Sequence, residues 1–257
     1  MDNGLSYSRS FPEDTWGSTF HEISCISDTA NIFVCHTDIS DLEKIATELS
    51  TIVMDQSWIL GLDQRAKRAY ENTARETAKS LVKVFRTTLS DDNRIASEFG
   101  ELMVSMGSSK ALEVVFKHKS IPIAEIWKPK VLGNEGFDFH TVCPDKMINF
   151  GEAKFSSSSN PYGGPSGGKT GAGGQADGFI LKQKHLMDGV HMGHLAGEDA
   201  TTNLDNDLFG VVLAFSINST SPLAILKNAL DHSITYEHLK KAKNIYIVGV
   251  SYEVKTN

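Results

Sequence analysis

A ten-residue run, LFGVVLAFSI at residues 208–217, limits the folds that this chain can adopt. It is apolar almost without interruption, which is typical of a central strand buried on both faces of a sheet. A second strand-like segment covers residues 244–252, and a helix-forming stretch over 222–242 lies between the two. Strands that alternate with helices in this way predict an α/β fold with a mixed sheet.

The N-terminal part of the chain has its own pattern. Residues 20–36 are rich in β-branched and aromatic side chains and predict one or two strands. Helices are expected over 41–54 and over 64–89, where alanine and larger apolar residues recur at helical spacing. We interpret residues 1–90 as an α/β extension, with a role in binding a partner, ahead of a main domain at 91–257.

The main domain begins with a helix that is predicted from Asp91 or Asp92 to about Met106, because the apolar residues recur on one face. A Gly/Ser-rich loop is expected at 156–174, and a helix follows it at 175–187. Between the first helix and the loop, the sequence predicts strands at 111–118, 121–128, 136–143 and 147–155.

Composition excludes some classes of protein. The three cysteines, Cys25, Cys35 and Cys143, lie far apart without a CxxC pair, so neither a disulfide framework nor a cysteine zinc site is expected. No stretch approaches 18 consecutive apolar residues, and the N-terminus lacks the pattern of a signal peptide. These features predict a protein of the reducing cytoplasm without a membrane span.

The net charge of −7 counts against strong non-specific binding of nucleic acid, because Lys and Arg neutralise phosphates in such complexes. Basic residues nevertheless cluster locally, and we interpret each cluster as a solvated face. The clusters are Arg65, Lys67 and Arg68; Lys117 and Lys119; Lys128 and Lys130; Lys182 and Lys184; and Lys240, Lys241 and Lys243.

The segments GFDFHTV and NFGEAKF are the most informative pair in the sequence. A short turn centred on Asp145 would place Asp138 directly across a hairpin from Glu152, because their numbers sum to twice 145. Directly opposed carboxylates destabilise a sheet unless something compensates their charge. A divalent cation is the simplest compensation, since Mg²⁺ binds through one or two carboxylates and keeps several waters.

Lys154 is placed by strand periodicity, because residues two apart share a face and Lys154 therefore points the same way as Glu152. Ile148 and Phe150 precede them on that face, so the charges continue an apolar row, where charges usually have a function. An ammonium beside a metal-bound water can orient that water or stabilise charge on a phosphate. The cluster therefore predicts phosphodiester hydrolysis. The alternative is a solvent-facing hairpin whose charges are incidental.

A competing signal lies at residues 163–170, where GGPSGGKT matches the phosphate-loop pattern of nucleotide-binding proteins. That mechanism requires a strand that runs directly into the loop and a helix that begins at its end. Here eight residues separate the strand from the loop, and the GAGG after Thr170 opposes a helix. A flexible loop beside the active site is therefore the preferred interpretation, and a phosphate-loop NTPase remains an alternative.

The segments SEFGELM, GFDFHTV and INFGEAKF resemble the PD-(D/E)xK nuclease superfamily, with Asp138, Glu152 and Lys154 at the motif positions. More closely, they resemble the nuclease subunits of Hachiman anti-phage defence systems. The resemblance implies a restriction-endonuclease-like core, a mixed sheet flanked by helices in the order α-β-β-β-α-β, over residues 91 to about 217. It also implies a bacterial protein that cleaves DNA and is restrained by a helicase partner.

Position by position, the resemblance implies that Asp138, Glu152 and the Ala153 carbonyl bind Mg²⁺ or Mn²⁺ and that Lys154 assists the attacking water. A helix glutamate completes the site in many relatives, and both Glu98 and Glu101 stay candidates: helical phase favours Glu98, and the Gly-Glu pair favours Glu101. Four further residues are candidate substrate contacts: His140, Lys169, Gln175 and Lys182. A non-catalytic docking subunit that keeps the nuclease fold is the alternative from a different class.

Overall fold

A computed structural model of the protein describes residues 4–25, 31–89, 94–128, 136–164 and 170–253. Within these ranges the fold is α/β, with a mixed eight-stranded sheet and flanking helices. The strands are β1 (Leu5–Glu13), β2 (Ser18–Cys25), β3 (Ile32–Ile39), β4 (Lys119–Ser120), β5 (Phe139–Val142), β6 (Ile148–Lys154), β7 (Gly210–Ile217) and β8 (Asn244–Tyr252).

The helices surround this sheet and vary widely in length. They are α1 (Leu42–Met54), α2 (Ser57–Leu60), α3 (Gln64–Phe85), α4 (Ser97–Phe116), α5 (Ala124–Trp127), α6 (Gly171–Leu181), α7 (Lys184–Ala196), α8 (Glu198–Asp205) and α9 (Pro222–Ser233). In the described part of the chain, no helix is long and apolar enough to span a membrane.

The strand order is β1-β2-β3-β8-β7-β6-β5-β4. The four central strands β3, β8, β7 and β6 are parallel, so their carboxyl ends meet at one edge of the sheet. The outer strands on both sides pair antiparallel. The predicted strand at 208–217 is confirmed as β7, which is buried along its whole length.

Helices cover both faces of the sheet. Phe116, at the end of α4, packs against Tyr246 of β8, whereas a Cβ at Gly249 would contact Leu226 of α9. Successive strand residues point to opposite faces, so positions 246 and 249 face opposite sides. Helix α4 therefore lies on one face and α9 on the other, which explains why β7 is apolar throughout.

The N-terminal strands belong to the same sheet as the rest, because β3 pairs with β8 along eight residue positions. The predicted division at residues 90 and 91 thus separates two stretches that share one sheet. The helices predicted over 41–54 and 64–89 are confirmed as α1 and α3.

The strands predicted at 111–118 and 121–128 are wrong. Helix α4 continues through Gly107 to Phe116, and the second stretch contains only the single turn α5 beside the two-residue β4. Residues 107–109 are buried within the fold, so these small residues do not end the helix. The predicted helix start at Asp91 or Asp92 lies outside the described residues.

Candidate metal-dependent active site

The hairpin β5–β6 carries Glu152, Ala153 and Lys154, follows directly on Asp138, and is closed by a tight turn. Within the turn, Lys146 N–H donates to Cys143 O (2.9 Å), and Cys143 N–H donates to Met147 O (3.0 Å). Lys146 has a φ of 59°, the left-handed conformation that follows a type I turn in three-residue hairpin loops. Phe139 pairs with Gly151, so the predicted register is confirmed: these numbers also sum to 290.

Asp138 lies one residue before β5, where the regular pairing ends. Its N–H donates to Gly151 O (2.8 Å), and its carboxylate Oδ2 accepts a hydrogen bond from Ala153 N–H (2.8 Å). The N–H and C=O of one strand residue point to the same side of the strand, so the Ala153 carbonyl also faces the side of Asp138. Asp138 therefore lies against the edge of β6, beside Glu152.

Glu152 is fully buried, with no solvent-exposed surface. The Lys154 ammonium forms an ion pair with Glu152 Oε1 at 2.6 Å. Across the described ranges, Oε2 of Glu152 has neither a hydrogen bond nor an ion pair. A buried carboxylate oxygen without such partners carries a large desolvation penalty.

The pKa values in this cluster reflect burial and mutual repulsion. Burial raises the pKa of Glu152 well above its ordinary value, and the neighbouring Asp138 raises it further. Burial also raises the pKa of Asp138, although the Ala153 N–H and Lys154 oppose that shift. Burial lowers the pKa of Lys154, but the charges of Glu152, Asp138 and Glu101 outweigh it, and that pKa is raised overall.

Helix α4 contributes two glutamates to a cavity of about 190 Å³ at this site, which Asp138, Ala153 and Lys154 also line. Both Glu98 and Glu101 line the cavity, so the structure brings both candidates to the site. Of the two, Glu101 is the one whose charge shifts the pKa values of Asp138 and Lys154. The electrostatic coupling therefore favours Glu101 over Glu98, although both glutamates line the cavity.

Gly100 explains how α4 approaches the carboxyl end of β6. A Cβ at this position would overlap the ring of Phe155, the residue that follows β6. The helix can therefore pack directly on this aromatic ring, which brings Glu101 to the site. In the Gly100-Glu101 pair, the glycine thus allows the close packing on Phe155, and the glutamate supplies a carboxylate to the cavity.

A buried polar network that sequence reasoning missed lies behind the site. Lys128, after α5, forms an ion pair with Asp188 of α7 at 2.7 Å, and His140 Nε2 lies 3.3 Å from the other oxygen of Asp188. The Lys128 charge also acts on Asp138 and Glu152. No local pattern could reveal this network, because its partners lie far apart along the chain.

His140 is a candidate substrate contact in the sequence, and the structure places it away from any open surface. It is fully buried between Trp127 and Phe150, and burial lowers its pKa despite the nearby Asp188. A large substrate therefore cannot contact His140 in this conformation. The geometry instead suits a role in which His140 positions the Asp188 carboxylate.

The other candidate substrate contacts are not joined to the cluster. Gln175 lies half-buried on α6, and Lys182 is exposed at the far end of that helix. Within the described ranges, no hydrogen bond or ion pair links either residue to Asp138, Glu152 or Lys154. Lys169 lies outside the described residues.

Helix α6 begins at Gly171, directly after Thr170, so the expectation that GAGG would oppose a helix is wrong. Gly173 and Gly174 are buried, and a Cβ at Gly173 would overlap the Tyr236 ring. Close packing therefore compensates for the low helix propensity of glycine. Strand β6 ends at Lys154, so the strand does not run directly into the phosphate-loop pattern that begins at residue 163, as the sequence predicted.

The donor set is compatible with a divalent cation. Asp138, Glu152 and the Ala153 carbonyl supply hard oxygen ligands, and Oε2 of Glu152, which has neither a hydrogen bond nor an ion pair among the described residues, provides the structural reason for binding a cation. In the described part of the chain, no group of three or more His, Cys, Asp or Glu side chains is arranged to hold a metal ion. Two carboxylates and a carbonyl suit Mg²⁺, because this cation binds through few protein ligands and retains several waters.

Comparison with family models, with curated proteins and with solved structures finds no match to this chain.

Proposed function

We propose that this protein is a divalent-metal-dependent DNA nuclease of the PD-(D/E)xK type. The observation that carries the proposal is the fully buried Glu152, which lies beside Asp138, has Lys154 at 2.6 Å from Oε1 and leaves Oε2 without a partner among the described residues. Such an arrangement is costly for folding, and perturbed carboxylates of this kind concentrate at functional sites.

The order of elements around the site supports the proposal. From α4 onward, the elements are α4, β4, the single-turn α5, β5, β6, the three helices α6, α7 and α8, and β7. If α5 is set aside and α6–α8 are taken as one helical segment, this agrees with the α-β-β-β-α-β order that the resemblance implies. The motif residues lie at the end of β6 and just before β5, where the two strands stop pairing.

Each residue has a distinct chemical role in this proposal. Asp138, Glu152 and the Ala153 carbonyl hold Mg²⁺ or Mn²⁺, which when bound polarises the phosphate and acidifies a water. Lys154, which stays protonated at neutral pH, orients the attacking water and stabilises negative charge on the phosphate. Glu101 adds a third carboxylate at the rim of the cavity.

The wider assignment rests on the resemblance. It makes the protein the cytoplasmic effector of an anti-phage defence complex whose helicase subunit restrains cleavage. The net charge of −7 supports a dependence on a partner for targeting, because the whole chain attracts DNA weakly.

The experiment is cleavage of supercoiled plasmid and linear duplex by the purified protein with Mg²⁺, Mn²⁺ or EDTA. We expect metal-dependent cleavage that falls by about 100-fold or more in Glu152→Gln and in Lys154→Met, as for other losses of electrostatic stabilisation. Glu237→Gln, at an exposed position, is the matched control and should cleave like the wild type. Equal cleavage by all four proteins would refute the assigned site.

A non-catalytic docking subunit is distinguished by metal binding. Calorimetric titration with Mn²⁺ should show binding to the wild type and none to Glu152→Gln if the site is catalytic. Absence of Mn²⁺ binding to both proteins favours docking. ATP binding that is lost in Lys169→Ala would instead favour a nucleotide-binding loop. The observation that favours this alternative is the start of α6 directly after Thr170.

A further inference from the structure

Helix α3 carries a continuous row of basic residues that the active-site proposal does not use. At 100° per residue, six Lys and Arg side chains fall within an arc of about 80° along the whole helix. We call this row the α3 basic stripe; it comprises Arg65, Arg68, Arg75, Lys79, Lys83 and Arg86, the last at the C-terminal cap.

The stripe faces solvent. All six residues are exposed, while the opposite side of the helix is buried through Ala74, Ala78, Leu81 and Phe85. Packing therefore fixes the direction of the stripe. The stripe is exposed because the opposite face of α3 packs into the core.

Most of the positive charge on the stripe is uncompensated. Arg75 lies 3.9 Å from Glu71, and Lys79 lies 2.9 Å from Glu76. Among the described residues, the other four cations have no carboxylate within ion-pair distance. Six cations against two glutamates leave a surplus of four positive charges along one helix face of a chain with a net charge of −7.

The helix also leads to the active site. Leu81, in its last turns, lines the same cavity as Asp138 and Lys154, so the C-terminal end of α3 lies beside the cavity, while the stripe is on the other side of the helix. Helix α3 has 22 residues and is therefore about 33 Å long. That length matches about ten base pairs of duplex DNA, at roughly 3.4 Å for each pair.

We propose that the α3 basic stripe binds the phosphate backbone of double-stranded DNA. This inference rests on the proposed function and adds to it the surface that holds the substrate. A row of point charges on a straight helix reads backbone charge rather than base sequence, so the binding is independent of sequence. An acidic protein surface is the competing occupant, and the test separates the two.

The test is fluorescence anisotropy with a 20-base-pair duplex in EDTA, over a series of salt concentrations. Omitting metal separates binding from cleavage, so failure of the nuclease proposal leaves this result interpretable. The stripe variant replaces three unpaired residues, as Arg68→Gln, Lys83→Gln and Arg86→Gln. The control variant carries Lys240→Gln, Lys241→Gln and Lys243→Gln, which makes the same change in net charge.

The control residues suit the comparison because of their place in the fold. They immediately precede β8, which runs parallel to β6 through β7, so they lie at the edge of the sheet opposite to Lys154. All three are exposed, and in the described part of the chain they form no ion pair. Glutamine keeps the helix propensity of α3, and circular dichroism checks that both variants fold.

We expect the slope of log affinity against log salt to fall by about three in the stripe variant, roughly one for each phosphate that is no longer neutralised. The control variant should keep the slope of the wild type. Equal reductions in both variants, unchanged binding in both, or no duplex binding by the wild type would overturn the proposal. Stripe-dependent binding of poly-glutamate without duplex binding would assign the surface to an acidic protein instead.

Discussion

Replacing Glu152 by glutamine is expected to stabilise the metal-free protein at neutral and alkaline pH. The wild-type carboxylate is fully buried beside Asp138, and only Lys154 offsets its charge at close range within the described residues. Glutamine keeps the shape of the side chain and removes the charge. The variant therefore isolates the energetic penalty of ionising this position.

The sign and the size of the effect follow from proton linkage. The pKa of Glu152 in the fold is raised above its ordinary value of 4.5, so the folded state binds more protons than the unfolded state between the two values. The contribution of Glu152 to stability is thus fully present below pH 4.5 and is lost as pH rises through the folded pKa. Within that window the loss is about 1.4 kcal/mol for each pH unit.

The assay is thermal unfolding in EDTA from about pH 4.5 to about pH 8.5, which spans the window above the ordinary pKa. For a chain of this size, about 1.4 kcal/mol corresponds to about 3–6 °C in Tm, so the variant should gain that much over the wild type for each unit of the window. Added Mg²⁺ should stabilise the wild type, by about 2.7 kcal/mol at about 100 times its Kd, and leave the variant unchanged. Glu237→Gln is the exposed control. Parallel pH curves for wild type and Glu152→Gln would refute the reasoning.

Three further predictions follow from the site and its supports. Glu101→Gln should lower metal-dependent cleavage about tenfold or more, measured by plasmid nicking, whereas Glu98→Gln should change it little; the reverse order would contradict the electrostatic assignment. Asp188→Ala should destabilise the fold by about 3–5 kcal/mol in urea unfolding, because it leaves the Lys128 charge buried and unpaired, and a second change of Lys128 to Met should restore part of the stability. Asp41→Ala should destabilise by about 0.5–2 kcal/mol in the same assay, since the Asp41 carboxylate accepts two backbone N–H bonds at the start of α1, and an unchanged midpoint would contradict that capping role.

The hairpin at the centre of the site was predictable because its information is local. The turn at Asp145 and the alternation from Ile148 to Lys154 fix which residues face each other and which share a face. Neither depends on distant parts of the chain. The pairing of Phe139 with Gly151 therefore agrees with the sequence interpretation.

Helix α4 was only partly predictable because its C-terminal half depends on tertiary packing. Val114 and Val115 favour strands by propensity, and the small residues at 107–109 resemble a helix end. In the fold, those small residues lie inside α4 and are buried. Burial of the helix against the sheet outweighs the local preferences.

The Lys128–Asp188 pair was unpredictable for a different reason. Its members lie on separate helical segments, and each belongs to a stretch that looks like an ordinary polar surface. Only the fold shows that both side chains are almost completely buried. Long-range charge pairs of this kind leave no periodic signal in one sequence.

The metal-free active site and the α3 basic stripe carry charges of opposite sign, so they act on a DNA phosphate in opposite ways. Asp138, Glu152 and Glu101 leave the metal-free site negative, because Lys154 is the nearest cation among the described residues and Lys128 is paired with Asp188. A phosphate is therefore repelled from the site until a divalent cation reverses the local charge. In EDTA, affinity for DNA must come from elsewhere, and the α3 basic stripe is the surface that we propose supplies it. Metal should then add affinity in the wild type but not in Glu152→Gln, whereas the reduction of slope in the stripe variant should be the same with metal and without it.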